Sequence, residues 1–287
     1  MSNGGAACAG RTAIVSRMQS PPSTGPWPDT LVAVLLGGLR TGESPRVLGI
    51  SGLQGTGKST LATQLVDGAH ARGLRSAVLS LDDLYLDHDV RAALAHDVHP
   101  LLATRGPPGT HDVALGLSVF DAVRKGASVC LPRFDKLGDC RLSEDAWPQV
   151  EALNLLVFEG WCVGATAEDP ATLDAPINAL ERDEDPDGTW RRWCNTALAR
   201  DYPPLWAAID TLLFLQPPGF EIVPTWRWQQ EQTLQAAAPG RRGMSRAQIE
   251  RFVQHYERVS RQALKVLPDV ADMIVRLDAE RNIISTA

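Results

Sequence analysis

The sequence is poor in features that stabilise a protein covalently or through a structural metal. Its 287 residues include five cysteines, an odd number, and no two of them are spaced as CxxC. This pattern argues against a disulfide framework and against a zinc site. We therefore expect reduced thiols, as in a cytoplasmic protein.

Long apolar runs are also missing. The longest candidate, residues 31–39, is far shorter than the roughly 18 residues needed to span a bilayer, so no membrane segment is expected. The first twenty residues contain Arg11 and Arg17 but no acidic residue and no apolar core, so we expect no secretion signal. The formal net charge of −6 argues against a general nucleic-acid-binding protein, which would be basic.

The composition is that of an ordinary globular protein, with 44% hydrophobic and 22% charged residues. Residues 1–45 form an N-terminal segment, in which a Pro-rich spacer at 20–28 precedes a predicted short helix at 29–40. Residues 46–287 form the main domain. Within it, residues 165–188 are rich in Pro, Asp and Glu, and we expect them to form a solvated insertion.

Apolar segments alternate with helical patterns along the main domain. This alternation predicts an α/β fold with three α/β/α layers and a mostly parallel sheet. The predicted strands are 46–51, 77–81, 154–158, 209–215 and 272–277, and the predicted helices are 58–72, 112–125, 189–201, 220–237 and 245–264.

Residues 52–59 (Gly-Leu-Gln-Gly-Thr-Gly-Lys-Ser) match the phosphate-binding pattern GxxxxGK[ST] at every fixed position. An apolar strand precedes this P-loop and a helix follows it, which is the context that the motif requires. Its backbone N–H groups and the helix N-terminus can bind phosphates. We predict ATP and Mg²⁺ as cofactors, with Lys58 on the β- and γ-phosphates and Ser59 on the metal. The predicted nucleotide-binding residues are Gly52, Gln54, Gly55, Thr56, Gly57, Lys58, Ser59 and Thr60.

Acidic side chains follow two of the predicted strands, at the sheet edge where ligands bind in this fold class. Asp82 and Asp83 follow the second strand, and Glu159 ends the third in the manner of a Walker B acid. One of the two aspartates can accept the proton of an attacking hydroxyl or bind Mg²⁺, while the other caps the next turn. Because neighbouring side chains of a strand face opposite ways, only one of the two can face the phosphates, and Asp82 is preferred. Ser59, Asp82 and Glu159 are the predicted metal ligands, and Asp83 and Tyr85 are candidate substrate contacts.

Two polar loops supply further candidates for a substrate pocket. In residues 105–112, Arg105 and His111 can line the pocket, whereas Asp112 can contact the substrate or simply cap the following helix. Arg133 and Lys136, on either side of an acid, suit an anionic substrate or a surface ion-pair cluster equally well.

Residues 219–245 are predicted to form a helical lid over the phosphates. We expect Arg227 to stabilise charge in the transition state and its neighbours Trp226 and Trp228 to pack the helix against the core.

Taken together, these segments resemble the plant and fungal D-glycerate 3-kinases, within the phosphoribulokinase, uridine kinase and pantothenate kinase group of P-loop kinases. The resemblance covers about residues 46–284 and implies that Asp82 is the base or a metal ligand and Glu159 the Walker B acid. Leu53 and the pair Pro107-Pro108 depart from the family pattern. The matching segments are 52–59, 80–86, 105–112, 132–136, 158–161, 226–231, 243–245 and 278–283.

The resemblance implies transfer of the ATP γ-phosphoryl group to D-glycerate, giving 3-phosphoglycerate. The residues themselves support a small hydroxylated, anionic acceptor. The nearest alternative is the same chemistry on a different acceptor, such as a nucleoside, pantothenate or another sugar acid. A nucleotide-dependent switch is a further alternative, since residues 135–138 spell DxxG, but no NKxD motif accompanies them. We expect a small-molecule substrate and no nucleic-acid or membrane partner.

Overall fold

The computed structural model describes residues 25–39, 46–237 and 243–287. Its centre is a six-stranded sheet in the order β10-β9-β8-β1-β7-β2, in which only the edge strand β10 is antiparallel to its neighbour. The strands are β1 Arg46–Gly52, β2 Ser76–Ser80, β3 Val129–Cys130, β4 Phe134–Asp135, β5 Cys140–Arg141, β6 Gln149–Val150, β7 Leu155–Gly160, β8 Thr211–Gln216, β9 Met273–Leu277 and β10 Ile283–Thr286.

Helices cover both faces of this sheet. Within the described ranges, no helix is both long enough and apolar enough to cross a membrane. The helices are α1 Asp29–Gly38, α2 Lys58–His70, α3 His88–Asp97, α4 Val113–Arg124, α5 Ala179–Glu184, α6 Thr189–Arg200, α7 Pro203–Ala207, α8 Val223–Ala237 and α9 Arg246–Val270.

The core lies on the two faces of the sheet, because successive side chains of a strand point to opposite sides. In β7, Leu155 and Val157 pack with α1 and α2, whereas Leu156 and Phe158 pack with α4 and α9. Every residue of β7 is buried. The predicted three-layer α/β/α fold with a mostly parallel sheet is therefore confirmed.

The predicted strands and helices of the main domain are all present, with shifted ends. α9 runs six residues further than expected and contains Pro268. Helix α3 was missed because it is polar, with Arg91 as its one buried residue. The end of the first predicted helix at Arg40 lies outside the described residues. Four cysteines of the described part are free thiols, as predicted: Cys130, Cys140, Cys162 and Cys194.

The prediction of a solvated insertion at 165–188 holds for most of its residues, which are exposed, but not for two of its acids. Its acidic residue Glu181 is fully buried and binds Arg258 of α9 through two hydrogen bonds of 2.6 and 2.8 Å. Asp185 is also fully buried and pairs with Arg191 of α6 at 2.9 Å. Arg258 lies 77 residues from Glu181 in the sequence, whereas Arg191 lies six residues from Asp185, and the two pairs attach the segment to α9 and α6.

This burial predicts unequal roles for two glutamates of the short helix α5. Glu181→Gln should lower the free energy of unfolding by about 3 kcal/mol, because the buried Arg258 loses its bidentate partner. Glu184→Gln is the matched control. Its carboxylate pairs with Arg251 at the surface, so the change should cost less than about 1 kcal/mol. Urea unfolding of both variants measures the difference, and equal losses would contradict the assignment.

Candidate active site

The P-loop connects the central strand β1 to helix α2. Gly55 and Gly57 have positive φ angles of 86° and 88°, a backbone conformation that glycine adopts without strain. A Cβ atom on Gly55 would come within 2.6 Å of the Cβ atom of Trp226. The tight turn and the close approach of α8 thus explain why glycine occupies these positions.

Lys58 and Ser59, at the start of α2, meet the acid at the end of β7. The Ser59 hydroxyl donates a hydrogen bond to Glu159 Oε1 at 3.0 Å. The buried Lys58 ammonium donates to the Leu53 carbonyl at 3.2 Å. Burial lowers the pKa of Lys58, and the charges of Glu159 and Asp82 oppose this shift. The site therefore places one cation between two carboxylates at the carboxyl edge of the sheet.

Asp82 lies beyond the end of β2, in a 3-10 helix at Leu81–Leu84. Our argument from alternating side chains in a strand was therefore wrong, although it singled out a residue that does face the site. Asp82 accepts hydrogen bonds from the Tyr85 hydroxyl at 2.5 Å and from Lys136 at 2.6 Å. Burial alone would raise the pKa of Asp82, but the Lys136 charge and these two hydrogen bonds lower it overall. The carboxylate is thus ionised at neutral pH.

Asp83, in contrast, binds protein groups on all sides. Its carboxylate accepts hydrogen bonds from the amides of Ser80 and Phe134, both at 3.3 Å, and pairs with Arg133 at 3.2 Å. It caps the 3-10 helix and attaches the segment that carries Lys136. We infer a structural role for Asp83 and for its partner Arg133.

His111 is buried beside Tyr85 and next to Tyr202. The Tyr202 oxygen accepts a hydrogen bond from the Gly109 amide at 2.9 Å and lies 2.6 Å from His111 Nδ1. All polar atoms are best satisfied if the Tyr202 hydroxyl donates to Nδ1, which leaves the proton of the imidazole on Nε2. Burial lowers the pKa of His111 to about 4 against the opposing effect of Asp82, so the ring is neutral. Its buried Nε2 has no hydrogen-bond partner among the described residues.

Two other predicted substrate residues bind neighbouring protein groups. Arg105 pairs with Asp139 and donates to the Lys136 carbonyl at 3.0 Å. Asp112 caps α4 through the Leu115 amide at 3.0 Å and pairs with Arg141. Of the candidate substrate residues, Tyr85 and Lys136 bind Asp82 directly, and His111 packs beside Tyr85.

Helix α8, the first part of the predicted lid, begins in the core. Trp226 is fully buried and its indole N–H donates to the Ala279 carbonyl at 2.9 Å, which agrees with the packing role that we predicted. The guanidinium of Arg227 lies over the Phe252 ring at 5.8 Å. Residues 238–242, in the middle of the predicted lid, lie outside the described part.

Two tyrosines of the site were missed by the sequence analysis. Tyr202 binds His111 from 91 residues away in the chain, and Tyr256 donates to the Arg105 carbonyl at 2.9 Å from 151 residues away. Neither lies in a local motif that could have revealed it. The fold and this arrangement of a P-loop with two strand-end carboxylates define a small-molecule P-loop kinase.

Comparison with known proteins agrees with this class. An uncharacterized kinase of Schizosaccharomyces pombe is 38% identical over 224 residues, which cover 74% of this chain and 78% of the relative. The chloroplastic D-glycerate 3-kinase of Arabidopsis thaliana is 28% identical over 83% of this chain, and the match spans 54% of the plant protein. No protein-family model matches the chain.

The solved structure of D-glycerate 3-kinase from Cryptococcus neoformans superposes with a TM-score of 0.73 at 27% sequence identity. The match covers 90% of this chain and 96% of that structure. The chain belongs to the kinase family that includes these D-glycerate 3-kinases, and the resemblance inferred from its motifs is confirmed.

The geometry of the P-loop predicts the effect of removing its lysine. Lys58→Ala should abolish phosphoryl transfer, with a loss of several orders of magnitude, because Lys58 is the one cationic side chain of residues 52–59 and offsets the charge that grows between the β- and γ-phosphates. The fold should remain intact, as judged by circular dichroism and by the unfolding transition. Near-normal turnover by the folded variant would refute the assignment of the site.

Proposed function

We propose that this protein transfers the γ-phosphoryl group of ATP to the 3-hydroxyl of D-glycerate, giving 3-phosphoglycerate. The observation that carries the proposal is the likeness, over most of the chain, to two proteins named D-glycerate 3-kinase. The arrangement of Lys58, Asp82 and Glu159 at one sheet edge supports phosphoryl transfer to an alcohol.

The P-loop binds the phosphates of ATP in this proposal. Lys58 gives up its hydrogen bond to the Leu53 carbonyl and pairs with the β- and γ-phosphates. Arg227 of α8 supplies further positive charge over the phosphates, and the lid excludes water.

The metal site of this proposal uses hard oxygen ligands, which Mg²⁺ prefers. The Ser59 hydroxyl and the Glu159 carboxylate, 3.0 Å apart, fit such an ion. Asp82 is the third proposed ligand. When bound, Mg²⁺ neutralises charge on the phosphate oxygens.

Asp82 orients the attacking hydroxyl. Its two oxygens already accept hydrogen bonds from Tyr85 and Lys136, and a carboxylate has about four acceptor positions, so it can accept one more from an alcohol. Its lowered pKa makes Asp82 too weak a base to ionise an alcohol beforehand. It therefore positions the hydroxyl and takes the proton late, as the new P–O bond forms.

His111 and Lys136 bind the rest of the acceptor. A small acid that reaches Asp82 brings a second negative charge, which Lys136 balances because its side chain is 57% exposed and its ammonium already lies beside Asp82. The neutral His111 donates from Nε2 to an acceptor oxygen and gains the partner that it lacks. A cytoplasmic location stays a prediction, and the plant relative is described as chloroplastic.

A panel of acceptors tests the proposal. ADP release should depend on D-glycerate and should be much slower with nucleosides, pantothenate and other sugar acids at equal concentration. Nuclear magnetic resonance of the product identifies the phosphorylated carbon. Preference for another acceptor would show that the assigned substrate is wrong. ADP release without any acceptor would indicate a nucleotide-dependent switch instead of a kinase.

The two aspartates provide the sharper test of mechanism. Asp82→Asn keeps the shape of the side chain and removes its charge, so kcat should fall by at least about a hundredfold while the affinity for ATP changes little. Asp83→Asn should lower thermal stability, because it weakens the pair with Arg133, and should reduce kcat much less. Both variants are measured at saturating ATP. If Asp83→Asn is the inactive one, the assignment of Asp82 fails.

A further inference from the structure

Residues from both ends of the described chain meet at the P-loop. Trp27 precedes α1 in the N-terminal segment, and Arg281 lies in the turn between β9 and β10. Each donates a hydrogen bond to the carbonyl of a P-loop glycine. Neither residue contributes to phosphoryl transfer in the function proposed above.

Trp27 is held firmly where it meets the loop. Its indole N–H donates to the Gly57 carbonyl at 3.0 Å, and its ring is only 5% exposed. Its backbone N–H and carbonyl both bind the side-chain amide of Gln64 on α2, at 2.7 and 2.9 Å. The indole is thus fixed relative to the same helix that begins at Lys58.

Arg281 meets the other side of the loop. Its Nε donates to the Gly55 carbonyl at 2.6 Å, and its guanidinium stacks 4.7 Å from the centre of the Trp226 ring. It also donates to the side chain of Gln229 on α8 at 2.9 Å. Arg281 has a positive φ of 66°, in a turn in which its own N–H donates to the Asp278 carbonyl at 3.1 Å. The tertiary contacts hold a backbone conformation that is uncommon for a residue other than glycine.

These two bonds fix peptide planes of the P-loop. In a trans peptide the C=O of one residue and the N–H of the next point in opposite directions. The Gly57 carbonyl accepts hydrogen bonds both from the Leu61 amide of α2 and from the Trp27 indole, each at 3.0 Å. Trp27 therefore reinforces the direction that the helix gives to the Lys58 N–H. The plane between Gly55 and Thr56 is held at both ends, by Arg281 on the carbonyl and by the Leu53 carbonyl, 3.3 Å from the Thr56 N–H.

We propose that Trp27 and Arg281 are positioning residues of the nucleotide site, which hold the P-loop in its phosphate-binding conformation before ATP arrives. Glycines give this loop more backbone freedom than other residues would, and ordering it on binding would reduce affinity. The hydrogen bonds from Trp27 and Arg281 restrict the loop before ATP binds. The inference rests on ATP binding at the P-loop, which is part of the proposed function, and is independent of the acceptor.

The test measures ATP affinity directly by titration calorimetry with the full chain, so that it needs no acceptor. Trp27→Phe keeps an aromatic ring and removes the indole N–H. Arg281→Lys keeps the charge and places a methylene at the position from which Nε donates to the loop. Each variant should bind ATP about five- to tenfold more weakly, the equivalent of one hydrogen bond. The matched control is Trp206→Phe, which loses an indole bond of 2.9 Å to the Ala165 carbonyl, away from the P-loop. It should bind ATP as the wild type does.

Steady-state kinetics separate positioning from general damage to the fold. KM for ATP should rise in both variants while KM for the acceptor and kcat stay within about twofold, since the groups around Asp82 are untouched. Folded Trp27→Phe and Arg281→Lys variants with unchanged ATP affinity would overturn the inference and leave the proposed function standing. A wild-type protein that does not bind ATP would overturn both.

Discussion

The site depends on one row of residues across the parallel sheet. Ile50 of β1, Glu159 of β7 and Ser80 of β2 are aligned by the register of the two strand pairs. Because β7 lies between the other two strands, its terminal acid stands between the turn that follows β1 and the turn that follows β2. A shift of one residue between β1 and β7 would turn Glu159 to the opposite face relative to β1 and separate it from Ser59.

The charges at this edge depend on one another because they are buried. Lys58 has a lowered pKa from burial, and the carboxylates of Glu159 and Asp82 compensate part of that cost. Asp82 in turn keeps its charge through Lys136 and Tyr85. In a poorly hydrated site each of these charges interacts more strongly than it would in water. Removing one group therefore changes the protonation of the others as well as its own contact.

The parts of the site that lie within one short stretch of sequence could be predicted from local patterns. The P-loop and the acid after β7 follow from glycine spacing and from an apolar strand, so they could be predicted. The roles of Asp82 and Asp83 could not be separated in this way. Their difference arises from Phe134 and Lys136, more than fifty residues further along the chain.

The same limit explains the errors about the fold. The acidic stretch at 165–188 has the composition of a solvated loop, and its arginine partners on α6 and α9 cannot be inferred from composition. Helix α3 buries only one side chain, so it lacks the apolar stripe by which a helix is recognised. Local patterns thus predicted the elements that bury apolar surface and missed those that are held by polar contacts.

The pairing of cations bears on what kind of acceptor this site can bind. Arg133 is paired with Asp83, but Arg105 shares Asp139 with the buried Arg91, so one carboxylate there faces two cations. Lys136 is more exposed than Arg105 or Arg133, and its partner is Asp82, the carboxylate that we propose receives the hydroxyl. An acceptor with one carboxylate would share Lys136 with Asp82, while the neutral His111 could not balance further charge. With Lys136 beside Asp82 and two arginines sharing one carboxylate, the site thus suits a small anionic acceptor better than a neutral one.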